Sequence, residues 1–254
     1  ARRFPEIVRE MESAGHETGP HSLYHETVGD SLFEIPGTYP LLPEEVQPRI
    51  KLATDILEDI VGHKVVSWRC PRLFGGTHVT NALEALGYEC DATYPMYFYN
   101  EQLFPYHPSQ ENWTEQGSLN LIEIIQFADM RMESKDEYGR DKDQWPLYRT
   151  QSTEDFIPHI ESFMSYLEKN DQSQKPIVLC FYFHPWEFWE MPEGVIHFGE
   201  GGVMPDPFLT KGCGKYCLNQ VELLIDWLKS KEAAFLTAGQ CARKWHEILA
   251  LQEI

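Results

Sequence analysis

The stretch VVSWRCPRLFGGTHVTNALEALGYECDAT, residues 65–93, contains the pattern that decides the fold class. Its apolar beginning predicts a short strand over residues 65–69. Residues 77–86 are predicted to form a helix that Gly87 ends, and residues 88–93 are again extended. Strands that alternate with helices pair in parallel, so the sequence predicts an α/β fold.

The same alternation continues on both sides of this unit. Amphipathic helices are predicted over residues 6–14, 43–61 and 216–229, and after the capping residues Ser152 and Thr237. Further strands are predicted over residues 119–127, 177–183 and 233–236. A charged surface excursion is predicted over residues 128–145. No linker interrupts the pattern, so residues 1–254 are predicted to form a single domain.

Composition and charge exclude several classes of protein. The 254 residues are 42% hydrophobic, which is enough for a folded core, and carry a net charge of −19. Nucleic acids and anionic membranes need a positive surface, so neither is an expected partner. The longest apolar run, residues 177–183, is much shorter than the roughly 20 residues of a membrane span. Residues 1–10 contain no apolar segment and are not expected to act as a signal peptide.

The segment GHETGPHSLYHE, residues 15–26, contains two histidines four positions apart. On a helical turn this spacing places both imidazoles of His21 and His25 on one side, where they can bind one metal ion. A carboxylate is the expected third ligand of a hydrolytic site. The alternative is a pair of partly exposed histidines in a polar loop.

Three further polar residues stand at predicted strand ends. Arg69 ends its strand before Pro71 turns the chain, and Asp91 lies near the end of the next strand. His184 follows a run of seven apolar residues and precedes Pro185, in a position suited to proton transfer. The alternatives are a salt-bridged surface arginine, an aspartate of no special role and a packed histidine bonded to backbone.

Six cysteines are spread along the chain, and only Cys213 and Cys217 are close in sequence. Their spacing fits a metal clip, a disulfide or an incidental pair, and it leaves the redox compartment open.

Together these segments resemble the polysaccharide deacetylase (NodB-homology, carbohydrate esterase family 4) superfamily. The motifs GHETGPHSLYH, RCP, LGYxxDAT and HPWEF occur in that family's order over nearly the whole chain. The HPWE form is most similar to the branch of peptidoglycan deacetylases, allantoinase-like proteins and cyclic imidases. The resemblance implies a distorted (β/α) barrel.

The resemblance also assigns roles to individual residues. It implies that His21 and His25 are metal ligands, that Arg69 orients the catalytic base, and that Asp91 tunes His184, the general acid. It further implies that the substrate pocket is lined by Pro71, Tyr182 and Trp186. Tyr182 replaces an aliphatic residue that lines the acyl pocket in many members.

One family motif is absent from these 254 residues. The aspartate-rich first strand that supplies the third metal ligand and the catalytic base has no counterpart here, because no aspartate precedes His21. We therefore expect a barrel that lacks its N-terminal strand in this chain.

Three functions are compatible with this pattern. The first is a metal-dependent amide hydrolase that deacetylates an amino sugar or a peptidoglycan-type glycan. The second is a hydrolase of a small cyclic amide, such as allantoin or an imide, and the third is a non-catalytic protein that binds a sugar or a partner. The resemblance implies zinc as the metal, with cobalt and nickel as alternatives, and leaves assembly into homo-oligomers open.

Overall fold

The computed structural model describes residues 1–131, 147–171, 173–192, 194–197, 199 and 201–251. These residues form two compact units. The first unit comprises residues 1–126, 175–180 and 236–254, and the second comprises residues 127–174 and 181–235. Most of the predicted excursion over 128–145 lies outside the described residues, and the prediction of a single domain stays a prediction.

Helices and short strands alternate along the described chain. The helices are α1 Pro5–Ser13, α2 Pro43–Val61, α3 Thr77–Leu86, α4 Met96–Tyr99, α5 Leu147–Thr150, α6 Thr153–Asn170, α7 Pro207–Thr210, α8 Lys215–Ser230 and α9 Ala238–Ala250. The strands are β1 Ser67–Trp68, β2 Cys90–Asp91, β3 Ile122–Glu123, β4 Ile196–His197 and β5 Gly202–Val203. Among these helices none is long and apolar enough to cross a bilayer.

A parallel sheet organises the first unit. Its strand order is β1-β2-β3, and both strand pairs are parallel, with Asp91 opposite Trp68 on one side and Glu123 on the other. A further parallel bridge joins Gln126 to Cys180. Because α3 connects β1 to β2, the predicted strand–helix–strand unit is present and the α/β class is confirmed.

The helices α2 and α3 bury their apolar faces against this sheet. Ile50 of α2, Leu83 of α3 and Trp68 of β1 are nearly or fully inaccessible to solvent and belong to one core cluster. Both helices end at a glycine with a left-handed backbone, Gly62 with φ 81° and Gly87 with φ 74°. These helix ends lie where the sequence predicted them.

The second unit is built around α6 and α8. Its aromatic core includes Phe127, Phe156 and Phe163, with the Phe127 ring 5.7 Å and 5.1 Å from the other two ring centroids. Ser152 caps α6 by accepting a hydrogen bond from the backbone N–H of Asp155, as the sequence predicted. Strands β4 and β5 form a separate antiparallel pair.

Two predicted strands differ from the structure. Residues 177–183 are half-buried and form only the bridge at Cys180, rather than a buried strand. Residues 233–236 are exposed and have no strand structure. An apolar run becomes a buried strand only when neighbouring strands pair with it, and none of the described residues pairs along 233–236.

Candidate active site

The two predicted metal ligands lie side by side in an exposed loop. The ring centroids of His21 and His25 are 5.1 Å apart and the rings are inclined at 66°. The loop is not a helical turn, because Ser22 and His25 have positive φ angles of 61°. A bent loop, and not a helical turn, therefore brings the two rings together.

Glu26 shapes this loop, although no motif of the sequence pointed to it. Its carboxylate accepts hydrogen bonds from the Ser22 hydroxyl at 3.1 Å and from the Tyr24 N–H at 2.6 Å. Burial by itself raises the pKa of Glu26, but the backbone and hydroxyl donors outweigh it, so the pKa is lowered. Glu26 thus stays ionised and holds the backbone between the two histidines.

The RCP segment supports the histidine loop at both ends. Nδ1 of His21 lies 2.8 Å from the carbonyl oxygen of Arg69, and Nη1 of Arg72 donates to the carbonyl oxygen of His25 at 3.1 Å. The buried Pro71 begins a 3₁₀ turn, Pro71–Leu73, that places Arg72 for this contact. A backbone carbonyl bonded to one ring nitrogen is the usual way in which a metal-binding imidazole is oriented.

The Arg69 side chain points to the ends of the neighbouring strands. Its Nε donates to the carbonyl oxygen of Ala92 at 2.8 Å, and its Nη2 donates to Sγ of Cys180 at 3.3 Å. Gln126 donates to the same two acceptors, at 2.7 Å and 3.3 Å. Among the described residues Arg69 is in no salt bridge, which argues against an ordinary surface ion pair.

Asp91 is fully buried beside a second carboxyl group that the sequence analysis did not select. It accepts a hydrogen bond from the Thr93 hydroxyl and lies opposite Glu123 in the sheet. Burial raises the pKa of Asp91 to about 7, against the lowering effects of Thr93 and the Arg69 charge. Burial and the Asp91 charge raise the pKa of Glu123 as well. The pair therefore retains protons at pH values where ordinary carboxyl groups are ionised.

His184 lies in the second unit, at the start of the 3₁₀ turn Pro185–Phe188. Its Nδ1 is 2.8 Å from Oε1 of Glu187, and its backbone N–H donates to the same oxygen at 2.8 Å. The His184 side chain is 40% exposed, whereas that of Glu187 is completely buried. The predicted proton donor thus has Nδ1 in contact with Glu187 and a partly exposed side chain.

Aromatic rings surround His184. The Trp186 ring stacks on the His184 ring with centroids 5.5 Å apart and 26° between the planes. The Tyr182 ring meets His184 edge-on at 6.0 Å. Both residues were predicted to line the substrate pocket, and both lie against the predicted acid.

The predicted site residues are divided between the two units. His21, His25, Arg69, Pro71 and Asp91 belong to the first unit. The second unit holds the three others, Tyr182, His184 and Trp186. Within the described ranges, no group of three or more His, Cys, Asp or Glu side chains is arranged to hold a metal ion.

The cysteine pair Cys213 and Cys217 forms no disulfide, and all six cysteines are free thiols. Sγ of Cys213 donates to the carbonyl oxygen of Leu209 at 3.4 Å. Burial raises the pKa of both thiols, which makes them poor nucleophiles.

The sequence model of the polysaccharide deacetylase family matches residues 1–90, the part that contains His21, His25, Arg69 and Pro71. The match spans 90 of the 254 residues, so similarity to this family is shown for that part of the chain. No protein of curated function matches it significantly in sequence.

Two solved structures share the polysaccharide deacetylase fold of this chain. A "probable Polysaccharide deacetylase" from Pseudomonas aeruginosa PAO1 matches 97% of the chain with 17% identity and a TM-score of 0.56. The Puue allantoinase matches 97% of the chain with 16% identity and a TM-score of 0.57. The chain spans 65% and 64% of these two proteins, less than two thirds of either. The predicted fold type is confirmed.

Proposed function

We propose that this chain is a metal-dependent hydrolase of amide bonds that removes the acetyl group from an amino sugar in a peptidoglycan-type glycan. The observation that carries the proposal is the supported pair of His21 and His25, whose rings are 5.1 Å apart within the region matched by the family. Two adjacent imidazoles held by a neighbouring turn favour a metal site over a plain polar loop.

His21 and His25 fit part of a divalent metal site. They supply two of the three protein ligands that hydrolytic zinc sites use, and the Arg69 carbonyl oxygen orients one of them. We propose zinc, with cobalt and nickel as alternatives. An ion bound there supplies Lewis-acid polarisation of the amide carbonyl.

His184 is proposed as the general acid that gives a proton to the departing nitrogen. Glu187 occupies the Nδ1 side of the ring, so Nε2 is the atom that transfers the proton. Arg69 and Asp91 are proposed to orient and tune the acid–base groups, and Pro71, Tyr182 and Trp186 to contact the substrate. The raised pKa of Asp91 supports a role in controlling protonation.

A neutral glycan suits the surface of this chain. The net charge of −19 disfavours a polyanionic substrate. Among the aromatic residues, Tyr94 is buried in the core, whereas Phe98 and Trp189 are exposed. Exposed aromatic faces are suited to stacking against sugar rings.

Two other functions each have one supporting observation. The fold likeness to the Puue allantoinase favours hydrolysis of a small cyclic amide. The lack of a three-residue metal cluster among the described residues favours a protein that binds a sugar without turnover.

The test is a substrate panel assayed with the zinc-loaded full chain. N-acetylated chito-oligosaccharides, peptidoglycan fragments, allantoin and a cyclic imide are incubated with the protein, and the released acetate or ring-opened acid is quantified. We expect acetate from the glycans. Ring opening alone would support the cyclic-amide function, and no turnover of any substrate would leave the binding function.

The variant His184→Ala tests the assigned acid. We expect kcat to fall on the order of 10²–10⁴-fold, because a positioned general acid contributes about that much. Bound zinc, measured by elemental analysis, is expected to stay at the wild-type level. An unchanged kcat would contradict the role of His184.

A further inference from the structure

We propose that Glu187 is the positioning residue of His184, and that the buried Arg149 keeps Glu187 ionised for this role. The inference rests on the proposed function of His184 as the general acid. It assigns a role to the glutamate of the HPWEF segment, which neither the sequence pattern nor the family resemblance selected.

The two carboxylate oxygens of Glu187 bind different partners. Oε1 accepts hydrogen bonds from both the backbone N–H and Nδ1 of His184, each at 2.8 Å. Oε2 accepts a hydrogen bond from Nε of Arg149 at 2.7 Å. Neither the Glu187 nor the Arg149 side chain is exposed to solvent.

Local structure forces this arrangement. Glu187 is the third residue of the 3₁₀ turn that His184 caps, so its side chain returns to the backbone N–H of His184 as in a capping box. The carbonyl oxygen of Glu187 accepts a hydrogen bond from the N–H of Gly214 at 2.9 Å, which fixes the turn to the start of α8. Arg149 is fixed in turn, because its Nη1 donates to the carbonyl oxygen of Lys211 at 3.3 Å.

A cap alone would need neither the contact with Nδ1 nor a buried arginine. Burial by itself raises the pKa of Glu187, yet its hydrogen bonds with His184 and the Arg149 charge lower the pKa overall. An ionised carboxylate can only accept, so Nδ1 of His184 must carry a proton. Nε2 is then the ring atom left to exchange a proton with the substrate in the proposed reaction.

The Trp186 ring lies against both Arg149 and His184. The Arg149 guanidinium carbon lies 5.2 Å from the centroid of the Trp186 ring, and that ring stacks on His184. The histidine is therefore held at Nδ1 by a carboxylate and against its face by an indole.

The test compares Glu187→Ala and Glu187→Gln with the control Gln240→Ala. Gln240 forms an equivalent capping box with Thr237 at the start of α9, in the first unit. Replacing Gln240 by Ala removes a helix cap and leaves the contacts of His184 unchanged. All three full-length variants are measured for kcat and KM, for melting temperature, and for the ¹⁵N shifts of the His184 ring, which report the protonated nitrogen.

We expect Glu187→Ala to lower kcat on the order of 10²-fold with little change in KM and to remove the Nδ1–H preference. Glu187→Gln retains an oxygen acceptor. We expect it to recover part of kcat and part of the Nδ1–H preference. Gln240→Ala is expected to lower only the melting temperature. If Glu187→Ala does not fold, Glu187→Gln supplies the comparison.

The outcomes separate this inference from the proposed function. If the wild type hydrolyses no substrate, the proposed function fails, while the ¹⁵N shifts still test whether Glu187 sets the protonation of His184. Wild-type ring shifts in both Glu187 variants would overturn the inference. So would a loss of melting temperature with kcat unchanged, because that is the signature of a cap alone.

Discussion

Asp91 and Glu123 place two carboxyl groups side by side in the interior of the first unit, where desolvation disfavours the charge on each. Oδ2 of Asp91 and Oε2 of Glu123 have no hydrogen-bond partner among the described residues. An unpartnered buried oxygen is costly when ionised, and protonation lowers that cost. The pair is therefore a source of pH dependence.

Replacing Asp91 by Asn is expected to flatten the stability profile between pH 4 and pH 7. The pKa of Asp91 rises from 3.8 to about 7 on folding, so the native state binds more protons than the unfolded state in that window. Wild-type stability therefore falls as the pH rises, by up to about 1.4 kcal/mol per pH unit from this group. Urea unfolding of both proteins at each pH measures the difference. Parallel profiles would contradict the assignment.

The sequence pattern was sufficient to place Asp91 near a strand end, but it did not select its neighbour Glu123, nor Glu187 beside His184. The contact between Asp91 and Glu123 depends on the register of two strands that are far apart in sequence. The ion pair of Glu187 with Arg149 likewise joins residues 38 positions apart. Such contacts follow from tertiary packing rather than from local pattern.

Helices were predicted more accurately than strands, because the signals that begin and end a helix are local. The bounds of α3 coincide with the prediction, and Thr237 caps α9 as expected. A strand depends on partners elsewhere in the chain, so β1 and β2 are each shorter than the extended segments predicted over residues 65–69 and 88–93.

Within the secondary-structure elements, Gly62 is the position where backbone conformation has the most direct effect on stability. Its φ of 81° ends α2, and no described atom lies within 4 Å of where a Cβ would stand. Gly62→Ala is therefore expected to lower the free energy of unfolding by about 1 kcal/mol through backbone strain alone. Denaturant unfolding measures the loss.

Gly201→Ala is the matched control for this substitution. Gly201 has no positive φ, and a Cβ there would also have no described atom within 4 Å. We expect this variant to unfold like the wild type. Equal losses in both variants would show that strain at Gly62 is not the cause.

At the scale of the whole molecule, the predicted site residues belong to two compact units. The proposed metal ligands His21 and His25 and the Asp91 carboxyl lie in the first unit, and the proposed proton donor His184 lies in the second. Each of these motifs is a weak signal alone. Their order along the chain resembles that of one superfamily, and this order made them predictable.

We propose that His21 and His25 bind a metal ion on which amide hydrolysis depends. The most direct measurement follows acetate release from an N-acetylated chito-oligosaccharide before chelation, after chelation and after zinc is restored. Chelation is expected to abolish the activity of the wild type, and zinc is expected to restore it. The variants His21→Ala and His25→Ala are predicted to hold less zinc and to stay inactive. Full activity after chelation, or wild-type zinc content and turnover in both variants, would contradict this proposal.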